Sequence, residues 1–99
     1  MKFLGLHPSD NPEKKYYALF QSDSGREKKV YFGAAGMKDF TRYSQAERQT
    51  HKEAYLARHR KTEDWNQPDT PGSLARWILW NKPTVRASLA DYKRRFGFN

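Results

Sequence analysis

At 99 residues the chain has room for one domain and not for two independent cores. It holds no cysteine, which excludes a disulfide framework and a thiolate zinc site, and it contains no run near the roughly 20 apolar residues of a membrane span. A net charge of +8 with 30% charged residues leans towards disorder, but 15% aromatic residues supply enough burial for a folded, thinly cored domain.

Taken in chain order, Met1 to Pro8 is too short an apolar run for a signal peptide, so a secreted protein is not expected. Phe3–Leu6 reads as a short strand, and His7–Pro12 is turn chemistry. Lys15–Phe20 and Lys29–Gly33 are rich in aromatic and β-branched residues, separated by the glycine-containing loop Ser22-Asp23-Ser24-Gly25-Arg26. This is the pattern of a β-hairpin occupying residues 1–36, three-stranded if Phe3–Leu6 joins it. Alternation puts Tyr17 and Leu19 on one face and Tyr16, Ala18 and Phe20 on the other. Both faces carry apolar groups, so one is expected against the helices and the other partly shielded.

Gly33-Ala34-Ala35-Gly36 ends the strand, and Ser44-Gln45-Ala46-Glu47 then has the form of a capping box. It predicts a helix over 44–61, whose small residues Ala46, Thr50, Ala54 and Ala57 imply either close approach to another element or a largely exposed helix. A second helix over 71–81 has Thr70 as N-cap and Pro71 at its first position. It presents Leu74, Trp77 and Ile78, with Trp80 on a neighbouring side. The third, over 84–96, carries the cleanest periodicity: Val85, Leu89, Tyr92 and Phe96 form one stripe, closed by Gly97. The expected fold is therefore α+β, a single domain over 1–99, with Trp77, Ile78, Leu89, Tyr92, Leu19 and Phe32 in its core.

Charge is unevenly placed. Residues 1–40 hold seven Lys/Arg against five Asp/Glu, whereas residues 41–99 hold twelve against six. Such a helical half favours an acidic partner: nucleic acid, an anionic membrane surface or an acidic protein, of which nucleic acid and protein are the ones expected. The candidate phosphate-binding residues are Arg48, Lys52, Arg58, Arg60, Lys61, Arg86, Lys93 and Arg94, provided that the helices bring their faces into one plane. No helix-turn-helix, zinc-finger or ribonucleoprotein motif accompanies them, so binding would be directed at the backbone of DNA with little base readout. An assembly protein that grips acidic protein surfaces is the alternative, and it would show an exposed apolar patch around Trp80 or Phe98.

Three further constellations carry less. His51, Tyr55 and His59 are spaced four and four, too far apart for the two histidines to share a metal without a third ligand, and neither metal nor cofactor is expected. Arg58 to Trp65 reads as an ion-paired corner with an indole under an arginine stem. Tyr17, Tyr31-Phe32-Gly33, Arg42 and His51 loosely resemble the opening of the GIY-YIG nuclease domain, in which two tyrosines on adjacent strands, an arginine and a metal-binding glutamate cleave phosphodiesters. Here Lys15-Tyr16 replaces the Gly-Ile pair, the second motif lacks its isoleucine, and no glutamate can be assigned. The expectation is accordingly of a non-enzymatic protein.

The runs Val30 to Thr41, Tyr55 to Trp65 and Ser73 to Thr84 resemble a family of small basic uncharacterised proteins of large nucleocytoplasmic DNA viruses of algae and amoebae, over about residues 14–96. The resemblance implies a viral product, acting in the cytoplasm or nucleus of an infected cell or packaged in the virion. It carries over no functional residue, and raises genome-associated and virion-structural roles alike.

Overall fold

The computed structural model describes residues 1–99, and its first third is an antiparallel meander. Strands β1 (Lys2–Pro8), β2 (Lys14–Gln21) and β3 (Glu27–Ala34) pair in the order β1-β2-β3, so the hairpin does gain its third strand. Phe3 lies opposite Phe20, Tyr16 opposite Phe32, and Tyr17 opposite Tyr31. The two-residue period then sorts the side chains. Ala18, Phe20 and Phe32 are buried on the inner face, and Tyr16, Phe3 and Leu6 pack around them. On the outer face His7, Tyr17 and Tyr31 form a ring ladder across the three strands, with centroids 5.1 and 5.4 Å apart. Leu19, expected in the core, belongs to this outer row and is only half-buried. The expectation failed because β2 is apolar on both faces, and only the positions of the helices decide which face is inner.

Three helices follow: α1 (Arg48–His59), which lies on Phe40 and Trp80, and α2 (Pro71–Leu74) continuing into a π-helical turn (Ala75–Leu79) and α3 (Val85–Phe96), which pack on the inner face. The fold is thus α+β. Gly33 lets β3 pass close under the π turn. Its φ is +80°, and a Cβ there would stand 2.8 Å from Leu79 Cδ1.

The start of α1 differs from its expected capping box. The main-chain carbonyl of Ser44 accepts from the N–H groups of Glu47 and Arg48, at 3.1 and 2.9 Å, so residues 45–47 form a turn and Glu47 caps without a side-chain bond. Ala46, Thr50, Ala54 and Ala57 are all exposed, and the residues drawn inward are Arg48, Lys52, Tyr55, Leu56 and His59.

Helix α2 starts as expected, with the Thr70 hydroxyl accepting from Ser73 N at 3.2 Å and Pro71 behind it. It ends unexpectedly: Trp80 N donates to Ala75 O at 3.0 Å, a five-residue step that widens the last turn. Trp80 is thereby turned inward and lies flat on Tyr55, with centroids 4.5 Å apart and planes 7° from parallel. Helix α3 behaves as its stripe predicts. Tyr92 is fully buried, Val85, Leu89 and Phe96 pack beside it, Thr84 accepts from Ala87 N, and Gly97 closes the helix in the left-handed conformation.

Candidate nucleic-acid interface

In the sheet, three of the five strand lysines are matched to carboxylates. Lys15 Nζ is 2.6 Å from Asp39, Lys28 Nζ 2.6 Å from Asp69, and Lys29 Nζ 3.7 Å from Asp10. In the helical half four of the twelve Lys and Arg rest on ring faces, as Lys29 of the sheet does on Tyr17. Arg48 and Lys52, one helical turn apart, both stand over Phe40, at 5.5 and 4.8 Å from its centroid. The Arg76 guanidinium lies 4.1 Å from the Trp77 ring and 5.6 Å from that of Trp65, and Arg95 is 3.6 Å from Trp77. Lys38 lies over Tyr43 at 5.8 Å. A ring holds a cation in place without cancelling its charge.

Several of these cations converge where the π turn ends. Carbonyl groups left without helical partners there attract positive charge: Arg76 donates to Trp80 O at 2.7 Å, and Lys52 Nζ donates to Asn81 O at 3.0 Å. The crowding registers in their acidities. Burial first, then Arg76 and Lys82, push the Lys52 ammonium below its ordinary value; burial first, then Arg95, push Arg76 down. Lys52, Arg76, Lys82 and Arg95 therefore make a basic crest drawn from α1, the π turn, the loop after it and α3.

One carboxylate stands within this crest. Asp91 accepts from Asn81 Nδ2 at 2.7 Å, from Arg94 at 3.2 Å and from Arg95 at 3.5 Å. The Asn81 bond first, and then the two arginines, hold its carboxyl below the usual carboxylate range. A carboxyl depressed in the folded state contributes stability that is present above its unfolded value near 3.8 and is lost as pH falls through the folded value. Asp91→Asn should accordingly be less stable than the native protein near pH 7, and the gap between them should close towards about pH 2. Urea midpoints measured across that range check this.

Of the eight residues expected from sequence, the structure brings together Arg48 and Lys52, both partly drawn in over Phe40. Arg58 lies beside a cleft on another flank of α1, and Arg60 and Lys61 are exposed just beyond its end. Arg86 and Lys93, seven residues apart, share one flank of α3. At about 100° per residue, Asp91 and Arg95 lie on the opposite flank. Arg94 is paired with Asp91. The eight do not share one plane, yet seven of them have no carboxylate within 4.0 Å, Arg94 being the exception. Arg76, Lys82 and Arg95 were missed. Arg76 sits between Ala75 and Trp77 in a segment that reads as core, and only its place before Trp77 signals a stacked guanidinium.

The remaining constellations fall out as follows. His51 stacks flat on Tyr43 at 3.8 Å, His59 stacks on Tyr55 at 4.3 Å, and no three His, Asp or Glu side chains are grouped as metal ligands. The arginine over Trp65 is Arg76, from another helix, rather than one from its own corner. Tyr17 and Tyr31 do lie opposite each other on adjacent strands, and Tyr31 Oη donates to Asp10 at 2.6 Å, which raises the phenol and lowers the carboxyl. Arg42, however, lies exposed in the turn before α1, and His51 with Tyr43 is on the other side of the sheet. The apolar patch expected at Trp80 or Phe98 is absent: Trp80 is buried, and Phe98 packs on Phe3, Phe20 and Tyr92. No helix is long and apolar enough to cross a membrane.

Fold and surface together define a small α+β domain whose sheet half is nearly charge-balanced and whose helical half is basic. The chain matches a family of unknown function, DUF5754, over residues 4–59, and belongs to that family. The matched stretch takes in the sheet and α1, with Arg48, Lys52 and Arg58, and stops short of the π turn and α3. No curated protein and no solved structure matches the chain.

Proposed function

We propose that this protein binds nucleic acid, DNA in the first place, through phosphate contacts, without turnover and with little dependence on base sequence. One observation carries the reading: of the twelve Lys and Arg of the helical half only Arg94 and Arg95 meet a carboxylate, and four, Arg48, Lys52, Arg76 and Arg95, are seated on aromatic rings. Charge held in place and left unneutralised is what a polyanion exchanges for its condensed counterions. The resemblance to small basic proteins of large DNA viruses extends the reading to a genome-associated protein of an infected cell or virion.

Titration into duplex DNA at two salt concentrations tests it. The logarithm of affinity should fall linearly with the logarithm of salt. Arg48→Gln with Lys82→Gln should flatten that slope by about 0.9 for each phosphate contact removed. Lys28→Gln and Lys29→Gln, whose partners are Asp69 and Asp10, should leave the slope unchanged. Affinity that is absent, or indifferent to salt, sinks the proposal.

A further inference from the structure

A cleft of about 350 Å³ opens between the Gly33–Asp39 segment and helices α1 and α2. Its floor is apolar, made by Ala75, Leu79 and the edge of Trp80, and Tyr55 stands in its wall, stacked on Trp80. The Tyr55 hydroxyl makes no hydrogen bond within the chain. Burial, its largest influence, pushes this phenol up to about 12, so at neutral pH it remains a proton donor.

The charged groups at the rim divide into occupied and free. Asp39 is saturated: Lys15 Nζ lies 2.6 Å away, Thr41 N donates to it at 2.9 Å, and the Thr41 hydroxyl donates as well. Glu63 has His59 as its one charged partner, Nδ1 being 3.8 Å away, and its carboxylate lies packed against Gly72. Lys38 and Arg58 have no carboxylate partner. The cleft therefore offers two cations without a carboxylate partner, of which Lys38 rests on the Tyr43 ring, one carboxylate acceptor packed against Gly72, one neutral donor and an apolar floor, in a volume at the lower end of the range for small-ligand sites.

We propose that this cleft binds a single nucleotide unit, with the phosphate between Lys38 and Arg58, the base over the Leu79–Trp80 floor, and the Tyr55 hydroxyl and Glu63 carboxylate on the polar edges of base and ribose. Bases inside a duplex are stacked and out of reach of such a cleft, so the unit is either a free mononucleotide or an unpaired nucleotide of a strand. The site thus stands or falls separately from duplex binding by the crest.

Calorimetric titration with adenosine 5′-monophosphate gives the test. Saturable one-to-one binding is expected, weakened about tenfold by Arg58→Gln and by Tyr55→Phe, and weaker by at least about tenfold for adenosine, which lacks the phosphate. Lys82→Gln should leave it unchanged while it lowers duplex affinity. A single-stranded oligonucleotide that displaces the mononucleotide identifies a strand as the source, and a cleft open to the mononucleotide alone identifies the free compound. No saturation by either ligand, equal affinity for adenosine and its monophosphate, or no change in Arg58→Gln (an exposed side chain whose loss leaves the core intact) overturns the proposal.

Discussion

Tyr92→Ala should remove a large share of the protein's stability, and Tyr92→Phe should cost it a smaller, separately measurable share. Tyr92 is fully buried at the middle of the α3 stripe. Its ring meets Phe3 of β1 edge-on at 5.6 Å, Phe96 one turn along α3 at 5.2 Å, and Phe98 of the terminal tail at 5.9 Å. Its hydroxyl donates to Pro68 O at 2.7 Å, which pins the loop ahead of α2. One side chain thus joins a strand, a helix, a loop and the tail. Truncating a buried aromatic to alanine costs about 3–5 kcal/mol, against a total of about 5–15 kcal/mol for a domain of this kind. Removing the hydroxyl alone leaves the Pro68 carbonyl without its partner, at about 1–3 kcal/mol. Urea unfolding separates the two, with both midpoints falling and Ala falling further. A Tyr92→Phe midpoint equal to that of the native protein would show that Pro68 O finds another donor.

How much of this was legible in the sequence depends largely on whether the relevant signal is local, although the equally local Ser44–Glu47 capping box did not form. The α3 stripe, the Thr70-Pro71 start of α2 and the strand alternation are each fixed by neighbours within a few residues, and each appears as expected. Leu19 is the counterexample within the sheet: alternation gives two faces but cannot say which one the helices will cover. Trp80 is the counterexample among the helices. A five-residue hydrogen-bond step has no local sequence signature, yet it decides that the indole lies under Tyr55 instead of on the surface. The candidate site repeats the lesson. Composition reveals the excess of cations after residue 40, because charge is additive. Which of them share a surface is set by how helices pack, and Arg76, Lys82 and Arg95 come together with Lys52 through contacts between segments far apart in the chain.

The contrast between the two halves follows from what each cation leans on. Lys28 and Lys29 lie on an edge strand where Asp69 and Asp10 come within reach, and a paired charge projects little field. The helical half offers Phe40, Trp65 and Trp77 as seats, as Tyr17 does for Lys29, but there the seated Arg48, Lys52 and Arg76 have no carboxylate partner. The same rings that compensate for a thin aliphatic core also hold guanidinium and ammonium groups at fixed positions, so aromatic content serves both burial and the ordering of charge. Ordering matters for a polyanion partner, since each long side chain already fixed before binding loses less freedom when the phosphate arrives.

The other large effect belongs to the one ion pair that is out of solvent on both sides. Lys15 and Asp39 have side chains 14% and 3% exposed, with Nζ 2.6 Å from Oδ2, and the remaining carboxylate oxygen takes the Thr41 N–H and hydroxyl. The pair ties the middle strand to the connector that carries Phe40, whose N–H donates to Leu79 O at 3.0 Å. Removing one partner strands the other charge where water cannot replace it, so Asp39→Ala or Lys15→Met alone should each cost about 3–5 kcal/mol. Asp39→Ala falls at the upper end, because Thr41 loses its acceptor too. The double variant should recover part of the loss, since no charge is then left buried, and its destabilisation should fall short of the sum of the two single losses by about 1–3 kcal/mol. A double-mutant cycle in urea gives that coupling directly. Strictly additive losses would mean that the two side chains act independently, Lys15 through its stem packed beside Gly33 and Asp39 through Thr41, and that the short contact between them adds nothing to the anchoring of the connector.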